Sequence, residues 1–157
     1  MSSFIANESP PLAEDEPVIV NDGWFPAVDP AQVRQVARLD GTVTAPRLRS
    51  AMLLAMADVN GELAAYKLWA LAEGHEGLGA VPGPTVNGES VRLVYYRAAI
   101  TARVQAELAE KYRDFETTGH ADKRADALEV TASVHWRDMR WAISSILGIG
   151  RVTVELI

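Results

Sequence analysis

The 157-residue chain contains no cysteine, which removes disulfides, thiol nucleophiles and every metal site built on thiolates. Histidine is scarce as well, limited to His75, His120 and His135. His75-Glu76 begins like half of a zinc-protease helix, but the position four residues on is Gly79, so the second ligand is missing. His135 and Asp138 stand one helical turn apart and are spaced to share a hydrogen bond, with no nucleophile or third ligand beside them. Neither Gly-X-X-X-X-Gly-Lys-Ser/Thr nor a strand-anchored Gly-X-Gly-X-X-Gly occurs, so no phosphate cradle is expected. Carboxylates such as Glu107 and Glu110 fall on a charged helical face, where solvation accounts for them. The expectation is a protein that is not an enzyme and has no cofactor or metal.

Long apolar runs are also missing. No stretch of about 18 apolar residues exists, and the N-terminus has neither the basic start nor the apolar centre of a signal peptide. No membrane partner is expected, and the chain reads as intracellular. Residues 1–33 hold Glu8, Glu14, Asp15, Glu16, Asp22 and Asp29 and no Lys or Arg, while the other 15 acidic residues are balanced by 15 basic ones. The formal charge of −6 therefore resides in the N-terminal segment. A nucleic-acid binder needs basic surface to displace counterions from phosphates, and no basic cluster provides it. DNA sliding past a neutral or acidic wall is a different relation and is compatible with this balance.

What is present is helical period. A hydrophobic share of 48% supports a real core in a chain of this length. Residues 1–17, with Pro10, Pro11 and Pro17 among acidic groups, read as a flexible acidic arm. Val18, Ile19 and Val20 suit a short strand before a turn at Asn21-Asp22-Gly23, and Trp24, Phe25 and Val28 form an apolar cluster to pack on helices. Asp29-Pro30 predicts a helix start, with Val33, Val36 and Ala37 as its stripe and Asp40-Gly41 as its end. A long helix follows over 44–74, where Leu48, Met52, Ala55, Val59, Leu63, Tyr66 and Ala70 keep three-four spacing across Asn60-Gly61, a place for a kink. A third helix runs from an Asn87 cap to Phe115, with Val94, Ala98, Thr101, Leu108, Tyr112 and Phe115 inside and Arg92, Arg103, Glu107 and Glu110 on a solvated or interfacial side.

The stretch 121–157 is the most patterned. Ala125, Leu128, Ala132, Trp136, Met139, Ile143 and Ile146 mark one helical stripe, which Gly148-Ile149-Gly150 breaks. The terminal Arg151, Val152, Thr153, Val154, Glu155, Leu156 and Ile157 alternate with period two, as a strand does. That strand has no local partner for its backbone groups, so it is read as an anchor that docks on another chain. Trp136 joins the stripe, while Trp141 lies off it. With Arg137 and Arg140, Trp141 is read either as packed on a neighbouring helix or as an anchor at a subunit interface, where Trp and Arg are enriched. Between helices, the loop 74–88 includes Gly74, His75, Gly77, Gly79, Pro82 and Gly83. It is longer than a helical hairpin needs and reads as a disordered connection or as a tongue toward a partner or lumen. The fold expected is all-α: an antiparallel bundle of three long helices plus a short N-terminal one, spanning 18–150, with the arm before it and the strand after it.

Several segments together resemble the head completion proteins of P2-like tailed phages. They are Asp29-Pro30 through Val33-Arg34, Thr44-Ala45-Pro46-Arg47-Leu48-Arg49, Asn87-Gly88-Glu89-Ser90, Tyr95-Tyr96, Asp122-Lys123-Arg124-Ala125-Asp126, and Trp136-Arg137-Asp138-Met139-Arg140-Trp141-Ala142, in matching order over about residues 17–157. The resemblance implies a helical connector of the virion neck, assembled in the host cytoplasm. It would dock under the portal protein after DNA packaging as a ring, a dodecamer, continuing the channel. There it would retain the genome, touch DNA only as passing contents, and present a surface to the next neck or tail-terminator protein. By the same resemblance, the extended C-terminus is the portal anchor. The residues alone leave two other classes open: a helical interaction module or regulator with no portal affinity, and a small hydrolase or nuclease-like enzyme, which would need a metal or nucleophile site.

Overall fold

The computed structural model describes residues 16–115 and 121–150, and the side chains of 16–111 and 131–150. Its chain order is α1 Pro30–Val36, α2 Ala45–Glu62, α3 Ala64–Ala72, a 3₁₀ turn Leu78–Ala80, β1 Thr85–Val86, β2 Glu89–Ser90, α4 Val91–Phe115 and α5 Ala121–Leu147. Helix α4 is central: α5 packs along it and α2 packs against it as well. The fold is largely helical, as expected, but only α4 and α5 are uninterrupted long helices. The arm up to residue 15 and the strand 151–157 lie outside the described residues.

The start of α1 follows from local chemistry. Asp29 accepts from the Ala31 N–H at 2.9 Å, and Pro30 occupies the first turn, where no N–H is missed. The helix ends earlier than the expected Asp40-Gly41. Arg38 takes a left-handed φ of 54°, and the Leu39 N–H reaches back to the Arg34 carbonyl at 2.9 Å, which closes the helix and turns Leu39 onto the core. Val33 is therefore buried, but Val36, expected in the same stripe, is exposed.

The predicted helix 44–74 is two helices that meet at Leu63. Leu63 ends α2 and opens α3 with φ −94° and ψ 4°, two residues beyond Gly61. Gly61 lowers helix propensity locally, and the fully buried Leu63 side chain fixes where the axis changes. Leu48, Met52, Ala55 and Val59 are buried in α2 as the spacing requires.

Asn87 does not cap α4. Asn87 (φ 51°) and Gly88 (φ 77°) form the two-residue turn of a small antiparallel hairpin in which Thr85 pairs with Ser90 and Val86 with Glu89. Asn-Gly is the favoured pair for such a turn because both positions need positive φ. Within α4 the expected stripe is only partly right. Thr101 and Leu108 are buried, while Val94 and Ala98 are exposed. The helix is covered on more than one side, so Tyr96, Ala99, Ile100, Val104, Ala102, Ala106 and Ala109 are buried too. In α5, Ala132, Met139, Ile143 and Ile146 are buried along the predicted stripe. Gly148 (φ 71°) ends the helix, with the Ile149 N–H on the Ser144 carbonyl at 2.9 Å. Among the described residues, no helix is long and apolar enough to cross a membrane.

Candidate interaction surfaces

The segment 19–28 ties α2, α3 and α4 together. Ile19 and Val28 exchange both backbone hydrogen bonds at 2.9 and 3.0 Å, closing a loop between them. Inside it Asp22 accepts from the Trp24 and Phe25 N–H groups, each at 3.0 Å, and receives Lys67 of α3 at 2.6 Å. Burial pushes the Asp22 carboxyl up, but the Lys67 bond and the two backbone donors outweigh it and hold the group below its usual range. Trp24 and Phe25 are buried as expected, with Phe25 stacked on Tyr96 at 5.3 Å.

Asn21, Asn60 and Tyr96 close a ring of hydrogen bonds. Asn21 Nδ2 donates to the Tyr96 hydroxyl at 2.8 Å, that hydroxyl donates to Asn60 Oδ1 at 2.7 Å, and Asn60 Nδ2 donates to Asn21 Oδ1 at 2.9 Å. Three elements are thereby joined. Burial is the main cause that pushes the Tyr96 phenol above its ordinary value. A second network joins α2, α4 and α5. Arg103 donates to Asp58 at 2.7 Å and Glu107 at 3.0 Å and lies 4.4 Å over the Trp136 ring, whose indole N–H donates to Glu110 at 2.7 Å. Arg103, read from the sequence as part of a solvated or interfacial side, is buried within the chain itself. The charged spacing on α4 belongs to an ion cluster in which Arg103 is buried beside Trp136 while Asp58 and Lys111 reach solvent.

The loop 74–88 is held by residues outside it, chiefly Trp24 and Arg92, and is not a plain connection. Gly74 (φ 84°) ends α3 while the His75 N–H bonds the Ala70 carbonyl at 2.9 Å. Trp24 reaches His75 through its indole N–H at 3.0 Å, and the Leu78 N–H returns to the Trp24 carbonyl at 3.0 Å. Gly77 passes close to that same carbonyl. At Gly79 an added Cβ would stand 2.9 Å from Leu93, and at Gly83 only 2.2 Å from Arg92. The room at Gly83 lets Arg92 donate to the carbonyls of Val81 and Pro82 at 3.2 and 3.0 Å. Leu78 and Val81 are buried, whereas residues 82–88, which lead into the hairpin and include its first strand and turn, are exposed. Glu89, just after the turn, pairs with Arg97.

Two outer faces stand out. On α5, Trp141 is 38% exposed with Arg137 stacked 4.5 Å over its ring, and Arg140 is exposed beside it. These three residues come together on the side away from Met139 and Ile143. His135 is half-buried on α5, and burial lowers its pKa against the opposing pull of Asp138, whose carboxylate meets Arg137 at 3.5 Å. The other face is α3. Ala70 is buried, but Ala64, Ala65, Leu68, Trp69, Leu71 and Ala72 are exposed, with Leu68 at 70% and Trp69 at 50%. Sequence reasoning missed this face because it followed only the inward stripe through Leu63, Tyr66 and Ala70. The signal was the near absence of charge over 64–72, where Lys67 is the one ionisable group apart from Tyr66.

Among the described residues, no group of three or more His, Asp or Glu side chains is arranged to hold a metal ion. The anchor candidates Arg151, Val152, Thr153, Val154, Glu155, Leu156 and Ile157 lie outside the described residues.

Comparison with known proteins gives a consistent answer over this helical body. The family model for the phage head completion protein (GPL) matches residues 19–157. The head completion/stabilization protein of Escherichia phage P2 is 42% identical over 148 residues, covering 94% of this chain and 88% of the relative. No solved structure matches the chain. The match runs from the Ile19 bridge through every helix described above, and the chain accordingly belongs to the phage head completion protein family.

Proposed function

We propose that this protein is a structural head completion component that forms a ring under the portal of a filled phage head. The observation that carries the reading is the extent of the family match, which takes in the whole helical body and not one shared module. The physical design supports it. A body locked by two partly buried polar networks and carrying Trp-Arg and apolar outer faces suits rigid stacking against neighbours. In this reading the ring continues the portal channel, keeps the genome in, and offers the next neck protein a docking surface. Residues 151–157 anchor each subunit by adding an edge strand to the portal, with Val152, Val154 and Leu156 supplying side-chain specificity. In this reading the exposed segment 82–88 faces the lumen or the next partner. DNA passes a wall that is neutral to acidic and is not gripped.

Electron microscopy of purified portal rings mixed with the protein tests this reading. The expected result is an added ring on the portal's outer mouth. Bare portals in the presence of folded protein would exclude direct docking.

A further inference from the structure

We propose that the apolar face of α3 is the ring contact, covered by the Arg137, Arg140 and Trp141 face of α5 from a second copy of this chain. The inference rests on the ring reading and specifies which two surfaces meet. A nine-residue helix with six exposed apolar residues is unusual on a finished surface, because their contact with water is unfavourable by about 25 cal/mol per Å² of apolar area. Lys67 is its only charge and is committed to Asp22. Around the face stand Glu62 before the helix, Glu73 at its C-cap and Glu76 just beyond, all exposed and none in an ion pair among the described residues. The α3 surface is thus an apolar centre with an acidic rim.

The α5 surface is its electrical complement. Trp141 supplies an aromatic centre, Arg137 lies over it with Asp138 3.5 Å away, and the unneutralised positive charge of the rim is that of Arg140, exposed and in no ion pair among the described residues. Trp and Arg are the residue types that carry most binding energy at such centres, and opposite rims fix orientation and register. The two surfaces are different patches of one chain. Their contact is therefore heterologous, each copy offering α3 to one neighbour and α5 to the other, which closes into a ring when the rotation permits. A face-to-face α3 dimer is disfavoured, because it would bring Glu62, Glu73 and Glu76 of two copies together.

The natural absence of cysteine makes a clean test possible. Ala72→Cys replaces a small residue of the α3 face and Ser144→Cys lies one turn beyond Arg140 and Trp141 on α5, so the large side chains Leu68, Trp69, Leu71, Arg137, Arg140 and Trp141 stay in place. A short bis-maleimide is applied to the full chain at high concentration and, separately, to completed heads that contain it. The double variant is expected to give a covalent ladder beyond the dimer, and each single variant none. Dimers from Ala72→Cys alone would overturn the proposal in favour of α3 self-pairing. Absence of a ladder from heads that have incorporated the double variant would overturn it in favour of a different protein on α3. Failure to enter heads while the ladder forms in solution would count against the portal reading and leave the contact standing. Adding Leu68→Glu should abolish the ladder without changing the thermal melt, and a persistent ladder would also overturn the assignment.

Discussion

Tyr96 shows how one side chain can unite the fold. Its ring stacks on Phe25, and its hydroxyl closes the hydrogen-bond ring with Asn21 and Asn60, so Tyr96→Phe keeps the packing but takes the donor from Asn60 Oδ1 and one of two acceptors from Asn21 Nδ2, which keeps the Pro26 carbonyl. The expected loss is about 1–2 kcal/mol, read as a lower midpoint in urea denaturation. The same substitution should alter the alkaline limb of stability. The folded phenol holds its proton to higher pH than the unfolded one, so native stability falls as pH rises above the unfolded value of 10. Tyr96→Phe should flatten that decline in circular dichroism titrations. Arg103 is the second residue whose loss should be costly. Arg103→Met retains bulk under Trp136 but leaves Asp58 without its cation, while Glu107 keeps Lys111. Because Asp58 is partly solvated, a loss of about 2 kcal/mol is expected, below the 3–5 of a fully buried broken pair. An unchanged melting temperature would show that the cluster is not structural. Neither role was legible in the sequence. Asn21, Asn60 and Tyr96 are separated by dozens of residues, and the spacing of Arg103 and Glu107 looks the same on an exposed face and on a buried one.

At the scale of elements, local signals decided where they were chemically compulsory. Asp29-Pro30 opened α1 and Gly148 closed α5, because capping groups and positive φ are satisfied within a few residues. Asn87-Gly88 was the instructive error: it carried a turn signal as strong as its cap signal, and the hairpin used the turn. The join between α2 and α3 offers a direct test. Gly61 is inside α2, and an added Cβ meets nothing within 4 Å. Gly61→Ala should therefore stabilise the protein by about 0.5–1 kcal/mol, raising the melting temperature by roughly 2–4 °C. A lowered melting temperature would mean that the break at Leu63 depends on glycine's freedom.

For the whole molecule, the proposed role separates folding from docking. Removing residues 151–157 is expected to leave the helical circular dichroism and the melt intact while abolishing ring addition to portals in electron microscopy. Truncated protein that still docks would eliminate the strand anchor. The balance of charge adds a further consequence: a contact between the acid-rimmed α3 and the arginines of α5 weakens as salt screens beyond about 8–10 Å, so ring contacts should loosen with ionic strength faster than the fold does.

The sequence by itself determined the helical class, the principal stripes of α2 and α5, several helix ends and the family, because periodicity, caps and ordered motifs are properties of neighbouring residues. Only the tertiary structure decided that α4 is covered on more than one side, that Arg103 is buried beside Trp136, that 74–88 is tied down by Trp24 and Arg92, and that α3 turns its apolar residues outward. Each of these depends on which distant surface arrives opposite a residue. A helical repeat names a face but does not say how many neighbours cover it.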